Sequence, residues 1–467
     1  MRLFGGLIPV CLMLLSLAGD RVEAQGPSRP KRPNVLFLLS DDQRFDTIHA
    51  LGNDLIQTPN LDRLAQRGFV FTNNYVMGSM HPAVCYPSRA MLMSGRTLWH
   101  TPVTLEGVPI WPETMRKAGY ATFGTGKWHN GPASYARGFG QGGAIFFGGM
   151  EDHYNVPIAD FDPTGRYPKQ KRHVVNKFSS ELFADTAIEF LRNYRGEEPF
   201  FLYLAFTAPH DPRTPPGEYA RLYDPQKLPL PKNFLPEHPF DNGELRIRDE
   251  MLAPFPRTPE AVREHLAAYY GMISHLDAQI GRVLKTLEET GHAKDTIILF
   301  SSDNGLAVGQ HGLLGKQNLY EHSTRMPLIL AGPGIKPGKS DALVYLYDLF
   351  PTVCQLTGLD APAGVEGHSL VPIVRGEQSK VRDHVLCAYR EVQRMVREPR
   401  WKLIKYNVHG QKQAQLFDLQ EDPWETRNLV DDPACQVHRQ RLETLLEKAR
   451  REASDPVGAK EGELGEY

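Results

Sequence analysis

The chain has 467 residues, 41% hydrophobic and 23% charged, with a formal net charge of −2 at pH 7. That is an ordinary globular composition, and the length suits one large domain or a large domain with a smaller one. A near-neutral balance excludes a global field selecting nucleic acid or an acidic membrane, so any anion binding must come from a local cluster.

The N-terminus reads as a leader. Arg2 precedes an apolar run over residues 7–18, and Val22-Glu23-Ala24 offers a cleavage point before Gln25. This predicts a signal peptide over residues 1–24 and an exported protein, periplasmic or secreted. An uncleaved anchor is the alternative, but the run is short for a span and no later stretch is longer. Beyond the leader remain Cys85, Cys354, Cys387 and Cys435. With no Cys-x-x-Cys, they suggest neither a disulfide framework nor a thiolate zinc site.

Residues 34–39 form a continuous apolar run, the pattern of a strand buried on both faces. Ser40-Asp41-Asp42-Gln43 follows at its end, where open α/β sheets place ligands. A punctuated helix over 58–68 (Thr58, Pro59, Gly68) leads into a strand over 69–72. The chain then reaches Cys85-Tyr86-Pro87-Ser88-Arg89. Pro87 suits a first helical turn, which puts Cys85 near a helix N-terminus and Arg89 one turn on. A helix over 110–119 and a short strand over 120–123 precede Gly124-Thr125-Gly126-Lys127-Trp128-His129. On extended backbone Lys127 and His129 point the same way.

Residues 134–177 lack a sustained period and read as a long surface excursion. A helix over 180–194 and a buried strand over 200–206 end in Pro209-His210-Asp211. Residues 211–256 are proline-dense coil. The longest helix is expected over 259–290, then a strand over 296–300 ending in Ser301-Ser302-Asp303-Asn304-Gly305. A glycine-rich loop carries His311, Gly315 and Lys316. A strand over 327–331 and a helix over 343–357 follow. Strands alternating with helices predict an α/β fold with a large, mostly parallel sheet flanked by helices. After about residue 375, short strands over 384–389, 392–396, 401–406 and 415–419 and a helix over 438–453 predict a smaller antiparallel α+β subdomain. The expected division is a catalytic domain over 25–375, this subdomain over 376–455, and a flexible tail over 456–467.

Asp41, Asp42, Asp303 and Asn304 at strand ends make an oxygen-only set suited to a hard divalent cation. Arg89, Lys127, Lys316, His129 and His210 beside it suit a tetrahedral oxyanion. These motifs stand in the order of the type I sulfatases of the alkaline phosphatase superfamily, and the chain resembles that family from about Pro33 to Leu429. Cys85-x-Pro87-x-Arg89 followed by Leu92-Met93-Ser94-Gly95-Arg96 is the strongest element.

The resemblance implies that Cys85 is oxidised to Cα-formylglycine by a maturation enzyme, and that its hydrate attacks sulfur. It implies one calcium ion on Asp41, Asp42, Asp303, Asn304 and the modified Cys85. It gives Asp303 the role of base, Arg89 and Lys127 that of holding the formylglycine and transferring group, and His129 that of assisting elimination. His210 and Lys316 contact the sulfate and help protonate the leaving oxygen. Tyr86 departs from the small residue usual after the cysteine. The leader, open loops and aromatic-rich insertions suit a sulfated carbohydrate as substrate, with choline sulfate or an aryl sulfate as alternatives. Trp128, Arg137, His153, His173, His311 and Arg394 are candidate substrate contacts, with loop packing or solvated charge the alternative for each. The rival functions are a phosphodiesterase or phosphonate monoester hydrolase of the same superfamily, and an idle binder of sulfated polymers.

Overall fold

The computed structural model describes residues 1, 5, 6 and 32–456. The expected leader and tail lie almost wholly outside the described residues. Among those described, no helix is long and apolar enough to cross a membrane.

The strand Asn34–Ser40 is the axis of an eight-stranded sheet. Phe200–Ala205 and Thr296–Ser302 flank it, both parallel. Ala121–Lys127 and Gln141–Phe146 extend one side. Arg325–Ala331, Phe69–Tyr75 and Gly338–Tyr345 extend the other. Arg325–Ala331 alone runs antiparallel to its neighbours. The axial strand shows no alternation because both its faces are covered. Val35, Phe37 and Leu39 enter one core, Leu36 and Leu38 the other. Each such side chain contributes about 1.5–3 kcal/mol on burial.

Helix Pro259–Glu289 closes the second core with Leu276, Ile280, Val283 and Leu287, and the Thr258 hydroxyl caps its start by accepting from Ala261 N at 3.2 Å. The C-terminal sheet pairs Val385–Tyr389, Gln393–Arg397, Trp401–Val408 and Gln411–Asp418 antiparallel. Its fifth strand is the two-residue Gly78–Ser79, parallel to Val385–Tyr389 and only six residues before Cys85. Leu442 and Leu446 of the helix Gln436–Glu452 join the core shared with Val385 and Leu403.

Three expectations are corrected. The expected surface excursion contains an edge strand of the main sheet, Gln141–Phe146. The strand expected over 120–123 runs on to Lys127, because Gly126 (φ +86°) lets Ala205 O pass where a Cβ would meet it at 1.8 Å. Residues 343–345 are not helical. They finish the strand Gly338–Tyr345, and the helix begins at Leu349.

Candidate active site

The C-terminal ends of the three central strands converge on one buried point. Asp41 leaves Asn34–Ser40, and Asp42 takes a left-handed backbone (φ +68°) that turns its carboxylate back over the strand end. Asp42 N donates to Asp303 Oδ1 at 3.2 Å. The turn is braced from outside, since Tyr269 Oη donates to Asp42 O at 2.6 Å and Gln43 N donates to Ser302 Oγ at 2.8 Å.

Cys85 opens the helix Cys85–Ser94 and is 2% exposed. Its thiol lies 3.2 Å from Asp41 Oδ1 and 3.5 Å from Asp42 Oδ1. Lys316 Nζ donates to both Asp42 oxygens at 2.7 Å and reaches Cys85 Sγ at 3.1 Å. Lys127 Nζ donates to Asp41. Arg89, one helical turn beyond Cys85, donates from Nε to Asp303 Oδ2 at 2.8 Å and from Nη1 to Lys127 O at 2.8 Å. Its Nη2 stands 3.8 Å from Asp41 and has no hydrogen-bond partner. Ser88 Oγ donates to Asp303 O at 2.5 Å, so the same helix grips the third strand end.

His210 follows the strand Phe200–Ala205. Its Nδ1 donates to Asp211 O at 2.8 Å, which turns Nε2 to within 3.6 Å of Asp42. His129 (φ +69°) stacks on Tyr86 with ring centroids 5.0 Å apart, and its Nδ1 has no partner.

Three carboxylates (Asp41, Asp42, Asp303) therefore face three cationic side chains (Arg89, Lys127, Lys316) at 0–4% exposure. Burial and the neighbouring Asp303 push the Asp41 carboxyl up. Burial would raise Asp303 too, but Arg89 and Lys127 hold it well below the usual carboxylate range. Burial, with Asp303 and Asp41, pushes the Cys85 thiol well up, so this helix N-terminus does not make a thiolate. Burial lowers His129 to about 2, with Lys127 and Arg89 adding to it, and keeps the ring neutral.

The donor set fits a hard cation. One ligand atom each from Asp41, Asp42, Cys85 and His210 lies within 4.8 Å of the others, all buried. Asn304 turns Nδ2 to Asp42 Oδ1 at 2.6 Å and leaves Oδ1 without a partner. The opposite amide orientation presents that oxygen to the same point, which a cation there favours.

The candidate substrate contacts fall elsewhere. Trp128 is 1% exposed, packed among Tyr135, Phe139 and Tyr203, with Nε1 on Ser134 Oγ at 2.9 Å. Arg137 is spent on Glu113 and the carbonyls of Leu105 and Val108. His311 is buried face to face on Tyr320 at 3.8 Å. Arg394 is buried against Asp455. His153 is buried and donates from Nε2 to His210 O at 3.0 Å, so it braces the catalytic loop from behind. Of these six, only His173 is exposed, 3.8 Å from Asp160. Tyr203 was not anticipated. Its hydroxyl accepts from Arg89 Nη1 at 3.3 Å, and it is the one polar-tipped residue in an apolar strand.

The sulfatase family model matches residues 33–359, which hold every residue of this cluster. This chain belongs to the sulfatase family. Its activity is therefore hydrolysis of sulfuric esters. A second model, that of the N-sulphoglucosamine sulphohydrolase C-terminal region, matches residues 309–452 and covers the four antiparallel strands of the smaller sheet and their helix. An N-acetylglucosamine-6-O-sulfatase of Bacteroides thetaiotaomicron is 27% identical, over 96% of this chain and 91% of that protein. A protein solved in complex with its substrate D-glucosamine-2-N,6-O-disulfate superposes with TM-score 0.78 at 25% identity, covering 92% of this chain and all of that one. A phosphonate monoester hydrolase of Agrobacterium radiobacter shares the fold, with TM-score 0.73 at 22% identity over 90% and 96% of the two chains.

Proposed function

We propose that this sulfatase releases sulfate from a sulfated carbohydrate, using a formylglycine made from Cys85 and one calcium ion on Asp41, Asp42, Asp303 and Asn304. The reading includes export through residues 1–24. One observation carries it. The Cys85 thiol, pushed away from ionisation, lies within 3.5 Å of two buried carboxylates and a lysine, a setting that serves an oxygen nucleophile better than a thiolate. The aldehyde hydrate, once formed, supplies a hydroxyl to attack sulfur and a second to expel sulfate afterwards.

The chain's own residues do the rest. Arg89 fixes Asp303 as an ionised acceptor, and its free Nη2 is available to a sulfate oxygen. Lys127 and Lys316 oppose the charge that grows on the leaving and equatorial oxygens. His210 Nε2, aimed by the Asp211 carbonyl, is placed to hand a proton to the leaving oxygen. His129 stays neutral, and its Nδ1 is left without a partner.

The carbohydrate assignment is supported by the amino-sugar sulfatase among its relatives and by the sulfated glucosamine in the substrate-bound neighbour. Because Cys85 is 2% exposed, a maturation enzyme must meet it before the chain folds.

Mass spectrometry of the peptide holding Cys85, from protein made in an exporting host with the maturation enzyme, tests the first half. The expected mass is lower by the difference between a CH2SH and a CHO group. Unmodified cysteine in protein that still releases sulfate overturns the formylglycine assignment. Turnover of an aryl sulfate faster than an aryl phosphate diester separates the proposal from the phosphonate-hydrolase reading. Fast aryl sulfate turnover with no sulfate released from any sulfated sugar overturns the carbohydrate assignment.

A further inference from the structure

The catalytic cluster leaves one strongly charged surface unused. Arg166, Lys169, Lys171 and Arg172 fall between the short strands Pro157–Ile158 and His173–Val174, two of them in the turn Lys169–Lys171. Arg166, Lys169 and Lys171 are exposed. Among the described residues, the salt bridges nearby are His173–Asp160 and Lys177–Asp185, and none of the four cations takes part in one. Asp162 is close: its carboxylate accepts from Thr164 N at 2.8 Å and Thr164 Oγ1 at 2.6 Å, and Lys171 and Arg166 act on it electrostatically without forming a salt bridge.

Two further observations distinguish this strip from an ordinary solvated face. Arg172 lies over the Phe147 ring at 5.5 Å, and its Nε is buried with no hydrogen-bond partner. The strip is also packed against the strand edge beside the site, where Phe146 pairs in register with Lys127. Tyr167 packs on Phe147 at 5.1 Å and on Tyr135 at 5.8 Å. Two residues after Phe147, Gly149 lies against His129, where a Cβ would stand 3.0 Å from Nε2. One short loop thus joins the His129 ring to the base of a row of cations that form no salt bridge among the described residues.

We infer that residues 166–172 dock the anionic groups of sugars flanking the one that loses its sulfate. The substrate is then a polyanionic glycan, sulfated or uronate-bearing, rather than an isolated sulfated monosaccharide. Lysine and arginine suit sulfate and carboxylate as paired, charge-assisted donors. A row of like charges costs least when an anionic chain lies along it. This inference rests on the carbohydrate reading above and names its substrate class more closely.

The test pairs Lys169→Glu/Lys171→Glu with the parent enzyme, both with matured Cys85. Both positions are exposed, and surface substitutions of this kind leave folding intact. The substrates are a small aryl sulfate and a size series of sulfated glycosaminoglycan oligosaccharides. For the longer oligosaccharides KM is expected to rise about tenfold in the double variant, since reversing two charges turns attraction into repulsion. In the parent, that KM rises with added salt. Aryl sulfate kinetics stay within about twofold of the parent. An unchanged oligosaccharide KM, or a parent with no preference for longer chains, overturns the docking role while leaving the sulfatase reading in place. The same loss of affinity for single-stranded DNA or anionic vesicles, without any for the oligosaccharides, overturns it in favour of another polyanion. A parent that turns over the aryl sulfate but no glycan defeats the carbohydrate reading itself.

Discussion

Lys316 shows how much one side chain carries at this site. Its ammonium bridges Asp42 and Cys85, and burial, which alone would lower its pKa, is overridden chiefly by the Asp42 carboxylate, so the group stays charged. A charge already in place against a developing oxyanion needs no reorganisation during the reaction. Lys316→Ala, at equal formylglycine content by mass spectrometry, should lower kcat for an aryl sulfate about 10²–10³-fold. An unchanged kcat removes Lys316 from the chemistry. In the sequence, Lys316 stands out only by its place in the order of family motifs, because a Gly-Lys pair in a loop has no periodicity. Tyr203 and Ser88 were less legible still. Tyr203 is one hydroxyl in an apolar run and Ser88 one small hydroxyl beside an arginine, and only the approach of Arg89 or of Asp303 O gives each a purpose. Trp128 shows the opposite case. An aromatic residue between Lys127 and His129 suggests a ligand contact, yet the backbone turns it into the core.

Among the elements, continuous apolar runs were the clearest signal. The strands Asn34–Ser40, Phe200–Ala205 and Thr296–Ser302 are buried along their whole length, so polar residues at their ends had to mark the site. The edge strand Gln141–Phe146 was hidden because Gly142 and Gly143 remove the side chains on which the period-two pattern depends. Those glycines have a packing reason, since a Cβ on Gly142 would meet the Tyr135 hydroxyl at 1.9 Å. Gly126 is under tighter constraint. Gly126→Ala forces a Cβ onto Ala205 O on backbone of positive φ, and should cost about 3 kcal/mol or more. The readout is denaturant unfolding, and a loss under about 0.5 kcal/mol would show that the strand pairing yields there. Arg394 was unreadable for another reason. Its carboxylate partner Asp455 is 61 residues away, beyond any local pattern.

The pH response belongs to the molecule as a whole. Burial holds His238 and His265 at about 4 and His311 at about 3 in the fold, with Arg213 adding to the effect at His265 and His238 and Lys402 at His311. Unfolded, each binds a proton near 6.5. The unfolded state therefore gains protons first as pH falls, and stability drops from about 6.5 towards 4, by several kcal/mol in total. Asp277, raised to about 6 chiefly by burial, acts in the opposite sense and offsets part of this. Thermal melts from about pH 7 to 4 should show Tm falling throughout. A Tm that is flat or rising over that interval contradicts neutral burial of these histidines.

The two-residue strand Gly78–Ser79 has a consequence for the order of events during folding. Ala388 N donates to Met77 O at 2.9 Å, Arg390 N to Ser79 O at 2.6 Å, and Cys387 Sγ to Val76 O at 3.1 Å across 311 residues of sequence. Pairings so distant pay their loop-closure entropy late. A nascent chain that has just released Lys316 from the ribosome already contains every residue of the catalytic cluster. It still lacks the strand that docks the approach to Cys85, so assembly of the reaction centre waits for the last quarter of synthesis.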